Sequence, residues 1–443
     1  MTRRLAAGNL QLENSRLVAG KATVVHSLRW RIALIISAGV AISYLDRQSL
    51  PVAIAAIQRD ISITNTQYSQ LQIAFLLAYA FMYAAGGKLI DLFGTRRVFA
   101  VMMVVWSLAC ASHGLASGFA MLAASRFLLG MGEGGGFPAA TKAVAEWFPS
   151  RERSTAMGII NAGTSVGAVV APPAIALIVS MTNWRWVFFF CGAAGLVWTL
   201  WWLRMYFAPG RHPGLSATER ERISEVFAKP EQQRPTVSWF RLFAFPQVWG
   251  LVFGKFLGDA AFYFYLFWLP KYLYDVRGFD IKLVGYYAWI PYAVAGLGSL
   301  TGGWFSSRLI KGGYSLNFSR KLTIGASVTL MPLIIFVTHT PVQLAIVLFS
   351  IAFFGQQVWS TMMMILPADL FPREMVGSVA GLVGFGGAMG GVVFNLAVGR
   401  LLDGGFGYGF VFYIVGSFHV LAFILLLVTV RVVRPIKVLE GIV

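Results

Sequence analysis

The sequence predicts an all-α membrane protein with twelve transmembrane helices in two six-helix, pseudo-symmetric bundles. Of its 443 residues, 57% are hydrophobic and 12% are charged, whereas a soluble domain is typically about 25% charged. Apolar stretches recur that are long enough to cross about 30 Å of hydrocarbon at 1.5 Å per residue. We number them spans 1 to 12, near residues 30–56, 67–90, 98–116, 119–141, 154–180, 185–207, 246–270, 283–307, 321–338, 341–366, 377–399 and 409–430.

The basic residues predict how the spans are oriented. With the N-terminus in the cytoplasm, the cytoplasmic segments hold 27 of the 36 Lys and Arg residues, and the opposite loops hold six. Cytoplasmic loops of membrane proteins carry such an excess, so both termini are expected in the cytoplasm. The net charge of +18 is therefore a topology signal, and no nucleic-acid partner is predicted.

The longest loop divides the spans six and six. The predicted organisation is a cytoplasmic tail (1–28), an N-terminal bundle (29–207), a Pro-rich, mixed-charge cytoplasmic linker (208–245), a C-terminal bundle (246–432) and a second cytoplasmic tail (433–443). A shift of 223 residues superimposes Gly158, Gly163 and Gly167 on Gly381, Gly386 and Gly390. Two parallel six-helix halves are a known transporter plan, with the substrate site between them near mid-membrane.

Six ionisable residues lie inside the spans, and their formal charges cancel. A charge at mid-bilayer costs about 2.5–3.5 kcal/mol on insertion scales, so these side chains are expected to face a shared interior. Helical rise places Asp46, Arg47 and Arg126 at one level, with Glu133 roughly 10 Å from Arg126. Lys255 and Asp259 are four residues apart and can pair. Ion pairs that only join helices are the alternative interpretation. The six residues are Asp46, Arg47, Arg126, Glu133, Lys255 and Asp259.

One loop motif is specific. Between spans 2 and 3 the chain reads Gly87-Lys-Leu-Ile-Asp91-Leu-Phe-Gly94-Thr-Arg96-Arg97. This pattern resembles the signature of the major facilitator superfamily, and the resemblance covers nearly the whole chain. It implies the major facilitator fold and a conformational latch built from Gly87, Asp91, Gly94, Arg96 and Arg97. Asp91 could cap a helix or pair with an arginine.

A finer resemblance is to the anion:cation symporter family, especially its bacterial hexuronate and sugar-acid carriers. It rests on Tyr44-Leu-Asp46-Arg47, on Tyr79 and on Arg126-x6-Glu133. It implies that Arg47 and Arg126 organise an anionic substrate and that Asp46 and Glu133 carry the coupled proton. It also implies a bacterial plasma membrane.

The tyrosines Tyr44 and Tyr79 are expected to help bind the substrate. Gln356 and Asn395 could recognise substrate hydroxyls, although each could equally form a helix–helix hydrogen bond. The 223-residue shift places Gln356 opposite Glu133. The N-terminal half is therefore expected to handle the proton and the carboxylate, and the C-terminal half to handle hydroxyls.

These observations predict a monomeric, proton-coupled secondary transporter that imports a hexuronate or related sugar acid. The alternatives are a symporter or uniporter for another carboxylate, such as an aromatic or dicarboxylic acid, and, more remotely, a membrane-embedded enzyme. The sequence contains no Walker A motif, so direct use of ATP is not expected. No cofactor and no metal are predicted, and Cys110 and Cys191 are interpreted as small buried hydrophobes.

Overall fold

The computed structural model describes residues 28–148, 150–214, 242–371 and 373–436. Most of the predicted tails and most of the linker lie outside these residues. The N-terminal half contains helices α1 (Leu28–Asp60), α2 (Asn65–Phe93), α3 (Thr95–His113), α4 (Phe119–Glu133), α5 (Gly136–Trp147), α6 (Ser150–Met181) and α7 (Trp184–Met205). The C-terminal half contains α8 (Pro246–Asp275), α9 (Ile281–Tyr287), α10 (Trp289–Lys311), α11 (Leu316–Val328), α12 (Val342–Leu370), α13 (Arg373–Asp403) and α14 (Gly407–Thr429).

Twelve membrane crossings result, because three spans are built from two pieces each. Span 4 is α4 with α5, span 8 is α9 with α10, and span 9 is α11 with a 3-10 helix at Met331–His339. Nine of the helices in the described ranges are long and apolar enough to cross a membrane by length and composition. The all-helical fold agrees with the sequence prediction.

Most helices extend beyond the apolar stretches from which they were predicted. Span 2 begins at Asn65, where Thr64 and Gln67 form a reciprocal capping box, and span 11 runs to Asp403. Polar residues can continue a helix beyond the hydrocarbon because its backbone hydrogen bonds do not depend on lipid. Hydropathy therefore identified the crossings but missed the helix ends by several residues.

Glycine and proline had effects that the sequence did not predict. Span 4 is interrupted at Gly134 and Gly135, within the glycine run around Glu133. By contrast, Pro172 and Pro173 lie inside the helix Ser150–Met181, which continues through both residues. Transmembrane helices tolerate proline because neighbouring groups can satisfy the freed carbonyls.

The two halves repeat one packing arrangement. Span 5 lies directly on backbone carbonyls of span 1, and span 11 lies in the same way on span 7. In each case two glycines four residues apart allow the close approach. A Cβ on any of these glycines would meet a carbonyl oxygen, and such small residues are typical of close helix contacts in membranes. The four contacts are Gly163 with Ser37, Gly167 with Ala41, Gly386 with Val252 and Gly390 with Phe256.

The halves touch at the end of the molecule where span 1 finishes at Asp60. We call this end the closed end. Span 2 packs on span 11, span 5 on span 8 and span 1 on span 7. The Asp403 carboxylate accepts hydrogen bonds from the backbone N–H groups of Asn65 (3.0 Å) and Thr66 (2.7 Å). Tyr68 donates to the carbonyl of Phe267.

The opposite end, where span 1 starts at Leu28, is the open end. Every hydrogen bond recorded between the halves among the described residues lies in the closed-end half of the bundle. The open end is the cytoplasmic side in the predicted topology.

Candidate functional site

A buried ion pair joins spans 1 and 4 at the centre of the N-terminal half. The Arg47 Nε donates to Glu133 Oε2 at 2.7 Å, and the Ser43 hydroxyl donates to the same oxygen at 2.8 Å. Both side chains are at most 4% exposed. Span 4 also lies close to span 2, because a Cβ on Gly134 would be 2.6 Å from the Tyr79 carbonyl oxygen. Sequence reasoning did not predict this partner for Glu133.

Aromatic rings surround the Arg47 guanidinium. Its central carbon lies 4.9 Å from the ring centroid of Tyr44, 5.3 Å from Phe75 and 4.6 Å from Tyr79. Cation–π attraction of this kind contributes roughly 0.5–2 kcal/mol per contact. Tyr44 and Tyr79, the two tyrosines expected to help bind the substrate, thus lie beside Arg47. Phe75 was not predicted as a neighbour of this arginine. Phe75 follows from the sequence once Tyr68, Phe75 and Tyr79 are placed on one helical face.

Arg126 is the second arginine of the site. It is fully buried, yet none of its three guanidinium nitrogens has a hydrogen-bond partner among the described residues. Its central carbon lies 6.0 Å from the ring centroid of Phe75, the ring that also faces Arg47. Burying an unpaired cation is expensive, and the donors of this guanidinium are unused among the described residues.

Asp46 has different surroundings from Glu133. It is 1% exposed, and its Oδ1 accepts a weak hydrogen bond from the Cys110 thiol at 3.5 Å. Its Oδ2 has no partner among the described residues. Cys191 lies beside the same carboxylate, so the two cysteines are neighbours of Asp46 and not isolated core residues.

The charge pair predicted in span 7 is formed. Lys255 Nζ donates to both carboxylate oxygens of Asp259, and the two side chains are 14% and 11% exposed. Asp259 leans against Gly387 of span 11, where any Cβ would overlap its Oδ2. One turn further, Tyr263 packs on Gly391. This pair lies on the C-terminal side of the interface between the halves.

Gln356 and Asn395 form hydrogen bonds within the C-terminal half. Gln356 is 1% exposed, and its Oε1 bonds His419 of span 12 at 2.5 Å, whereas its Nε2 has no partner among the described residues. Asn395 accepts from Trp268 (2.8 Å) and donates to the Gly391 carbonyl (2.8 Å). These contacts match the alternative of helix–helix hydrogen bonds.

The neighbouring residue Gln357 lines the interface instead. It borders a small cavity between the halves, together with Tyr44, Thr164 and Ser165. The cavity volume is about 20 Å³, close to the space that one water molecule needs. A one-residue step along a helix rotates a side chain by about 100°, so the adjacent residues Gln356 and Gln357 have different surroundings.

The loop that carries the specific motif has a partly described geometry. Gly94 has a φ of 82° and both ends span 2 and begins span 3. Arg96 donates to the Leu203 carbonyl and stacks on Phe207, whereas Arg97 is exposed. Open space surrounds Gly87, and the side chain of Asp91 lies outside the described structure. In this conformation Arg96 contacts its own half.

The C-terminal half contains an arginine–carboxylate contact that the sequence motif did not predict. Arg320 pairs with Asp369 at 2.8 Å and donates to Ser306. The 223-residue shift superimposes Asp369 on Glu146 and Arg320 on Arg97. The C-terminal half thus has an arginine–carboxylate contact, although its loop lacks the motif aspartate.

Two six-helix bundles around a buried, charge-balanced interior define a membrane transporter. Residues 36–395 match the family model described as the Major Facilitator Superfamily. The chain belongs to this superfamily, which consists of transporters and not enzymes.

Two curated relatives are named for sugar acids. The hexuronate transporter of Escherichia coli (strain K12) is 31% identical over 384 residues, which cover 86% of this chain and 89% of the relative. The D-galactonate transporter of Escherichia coli O6:H1 is 31% identical over 396 residues, covering 86% and 90%. The predicted resemblance to sugar-acid transporters of this superfamily is confirmed.

A solved structure shares the fold. It is the crystal structure of a bacterial homolog of the human lysosomal transporter Spinster, in an inward-facing and unoccupied conformation. The TM-score is 0.70 at 18% identity, with 91% of this chain and 96% of the other covered.

Proposed function

We propose that this chain is a proton-coupled symporter that imports a small organic anion, a hexuronate or related sugar acid, by alternating access. The observation that carries the proposal is the buried Arg126 guanidinium, none of whose nitrogens has a partner in the described structure. A planar guanidinium binds a carboxylate through two parallel hydrogen bonds. An anionic ligand would therefore supply the partners that the protein does not.

The Arg47–Glu133 contact supports the proton coupling. While Glu133 is ionised, its carboxylate occupies the Arg47 guanidinium at 2.7 Å. A proton on Glu133 removes the charge that holds this pair and frees Arg47 for the substrate carboxylate. Proton binding and anion binding then favour each other, and by linkage the effect is reciprocal. Asp46, whose Oδ2 has no partner in the described structure, is the second proton carrier.

The proposed cycle uses both ends of the molecule. Asp46 and Glu133 take up protons from the outside, and the substrate carboxylate binds Arg47 and Arg126. The halves then rock, the closed-end contacts form and the open end releases substrate and protons to the cytoplasm. Gly94, Arg96 and Arg97, with Gly87 and Asp91, are proposed to latch the opposite state, because the space beside Gly87 is open here.

The test combines binding and transport on the purified protein. A thermal-shift screen against sugar acids, aromatic acids and dicarboxylic acids would identify the ligand class, because a ligand that binds the folded state stabilises it. Uptake of the best ligand into liposomes would then be measured with and without an inward proton gradient. We expect accumulation only with the gradient.

Two outcomes would overturn parts of this proposal. Uptake that only equilibrates the substrate, at the same rate with and without the proton gradient, would remove the coupling and leave a uniporter. Binding only by aromatic or dicarboxylic acids would retain the anion carrier and reject the sugar-acid substrate. Arg126→Ala is the matched variant, and we expect it to lose binding while it remains monodisperse in detergent.

A further inference from the structure

A paired carboxylate lies opposite the arginines, in the C-terminal wall of the same site. Asp259 is near the midpoint of the helix Pro246–Asp275, and Tyr44 is at the midpoint of Leu28–Asp60. Span 1 packs on span 7 across the interface between the halves, and the central carbon of the Arg47 guanidinium lies 4.9 Å from the Tyr44 ring centroid. Helix packing and position along the helices therefore place Asp259 at a similar depth to Arg47, on the other side of this interface.

A bare carboxylate at this place would repel an anionic substrate. Lys255 removes that repulsion because its ammonium contacts both Asp259 oxygens. An ionised carboxylate has about four lone-pair sites in total, so this pairing leaves acceptor positions free. The pair is 11–14% exposed, and Gly387 keeps span 11 from covering it with a side chain. The result is a charge-neutral unit with unused hydrogen-bond acceptors.

We propose that the Lys255–Asp259 pair determines specificity for hydroxylated anions, with Asp259 accepting hydrogen bonds from substrate hydroxyls and Lys255 cancelling its charge. This inference rests on the proposed anion transport and assigns the hydroxyl recognition to span 7. The substrate carboxylate binds the arginines of the N-terminal half, and the hydroxyl-bearing chain extends toward span 7. Gln356 and Asn395, the residues expected for this role, are occupied elsewhere.

Two ligands separate hydroxyl recognition from anion binding. One is the best-bound sugar acid of the screen, and the other is hexanoate, a six-carbon carboxylate without hydroxyls. Dissociation constants for both would be measured on the purified protein. We expect Asp259→Asn to lower the preference for the sugar acid over hexanoate by about tenfold or more. The Lys255 ammonium that it leaves unpaired attracts both anions, so the ratio of the two dissociation constants is the quantity to compare. A purely structural residue would affect both ligands alike.

The lysine variant tests the second half of the inference. Lys255→Met leaves an unpaired carboxylate in the site, so both anions are expected to bind about tenfold or more weakly. The double variant Lys255→Met/Asp259→Asn removes the charge again. We expect it to recover hexanoate binding but not the preference for the sugar acid. Hexanoate binding by the double variant would also show that a protein with both substitutions still folds.

The chain provides a matched control in the same helix. Lys271 and Asp275 form another Lys–Asp pair four residues apart, at 2.6 Å and at the closed end. Asp275→Asn makes the same chemical change roughly 24 Å away along the helix. It is expected to leave the ratio of the two dissociation constants unchanged.

The outcomes distinguish the two proposals. If the wild type binds sugar acids and Asp259→Asn keeps the full preference over hexanoate, the inference is wrong and the anion carrier stands. If the wild type binds neither sugar acids nor other carboxylates, the proposed function and this inference both fall.

Discussion

At the scale of single residues, the interior of the N-terminal half contains two buried arginines with different partners. Arg47 has a carboxylate partner in this structure, whereas no hydrogen-bond partner of Arg126 is recorded in the described residues. The two arginines therefore differ in what they need from a ligand. Arg126 gains hydrogen bonds outright, whereas Arg47 must first give up Glu133.

We expect the function of Arg47 to depend on the planar geometry of its guanidinium group. We expect Arg47→Ala to abolish substrate binding and transport in a protein that still folds, and Arg47→Lys to lose most activity, because an ammonium cannot form the same two parallel hydrogen bonds. Binding by calorimetry and counterflow in liposomes would measure both. Near wild-type transport by the alanine variant would make Arg47 structural.

The coupling role of Glu133 predicts a split between two transport assays. Glu133→Gln mimics the protonated state, so it is expected to bind substrate and to exchange it across the membrane. It is not expected to concentrate substrate, because net uptake requires proton release inside. Counterflow and proton-driven uptake would be compared in the same liposomes. Full accumulation would leave Asp46 as the remaining candidate.

The pairing of Arg47 with Glu133 was not accessible from the sequence. Helical rise correctly separates Arg126 from Glu133 by one heptad, but it cannot state how closely span 1 approaches span 4. That approach depends on the glycine run and on the long Arg47 side chain. Motif spacing therefore identified most residues of the candidate site, whereas three-dimensional packing decided which of them are partners.

At the scale of helices, glycine positions control how the interior is assembled. Gly134→Ala places a Cβ 2.6 Å from the Tyr79 carbonyl oxygen, and overpacking of this kind typically costs about 1–3 kcal/mol. We expect a lower melting temperature and weaker substrate binding, since span 4 carries Glu133. Gly158→Ala is the control, because open space surrounds that position. Equal melting temperatures would contradict the packing argument.

Hydropathy predicted the helical elements better than their interruptions. The crossings were found because lipid requires long apolar helices. The breaks in spans 4, 8 and 9 and the unbroken helix through Pro172 and Pro173 depend on neighbouring helices that satisfy or strain the backbone. A pattern within one segment contains no information about such neighbours.

At the scale of the whole molecule, the closed end holds the two halves together. Asp403 caps the N-terminus of span 2 from the opposite half, and loss of a helix cap typically costs about 0.5–2 kcal/mol. Asp403→Ala is therefore expected to shift the population toward the state that is open at this end, by roughly two- to thirtyfold. Distances between a spin label on the helix that begins at Asn65 and one on the helix that ends at Asp403 would measure the shift. An unchanged distance distribution would contradict it.

The predicted topology assigns the open end to the cytoplasm. Cysteines placed near residues 10 and 438 in a cysteine-free background would be treated with an impermeant thiol reagent in intact cells. Both termini are expected to be protected and to react only after lysis. Labelling of either position in intact cells would refute this orientation.

The charge balance of the interior has a consequence for the energy source. The formal charges of the six ionisable residues inside the spans cancel, so in the proposed cycle each loaded carrier moves only the charge of its ligands. With two protons, on Asp46 and Glu133, a monoanion would cross with a net charge of +1. Membrane voltage then contributes about 2.3 kcal/mol per 100 mV, which corresponds to roughly fiftyfold accumulation. A dianion moved by the same protein would be electrically silent, so a voltage clamp could distinguish the two substrates without any label.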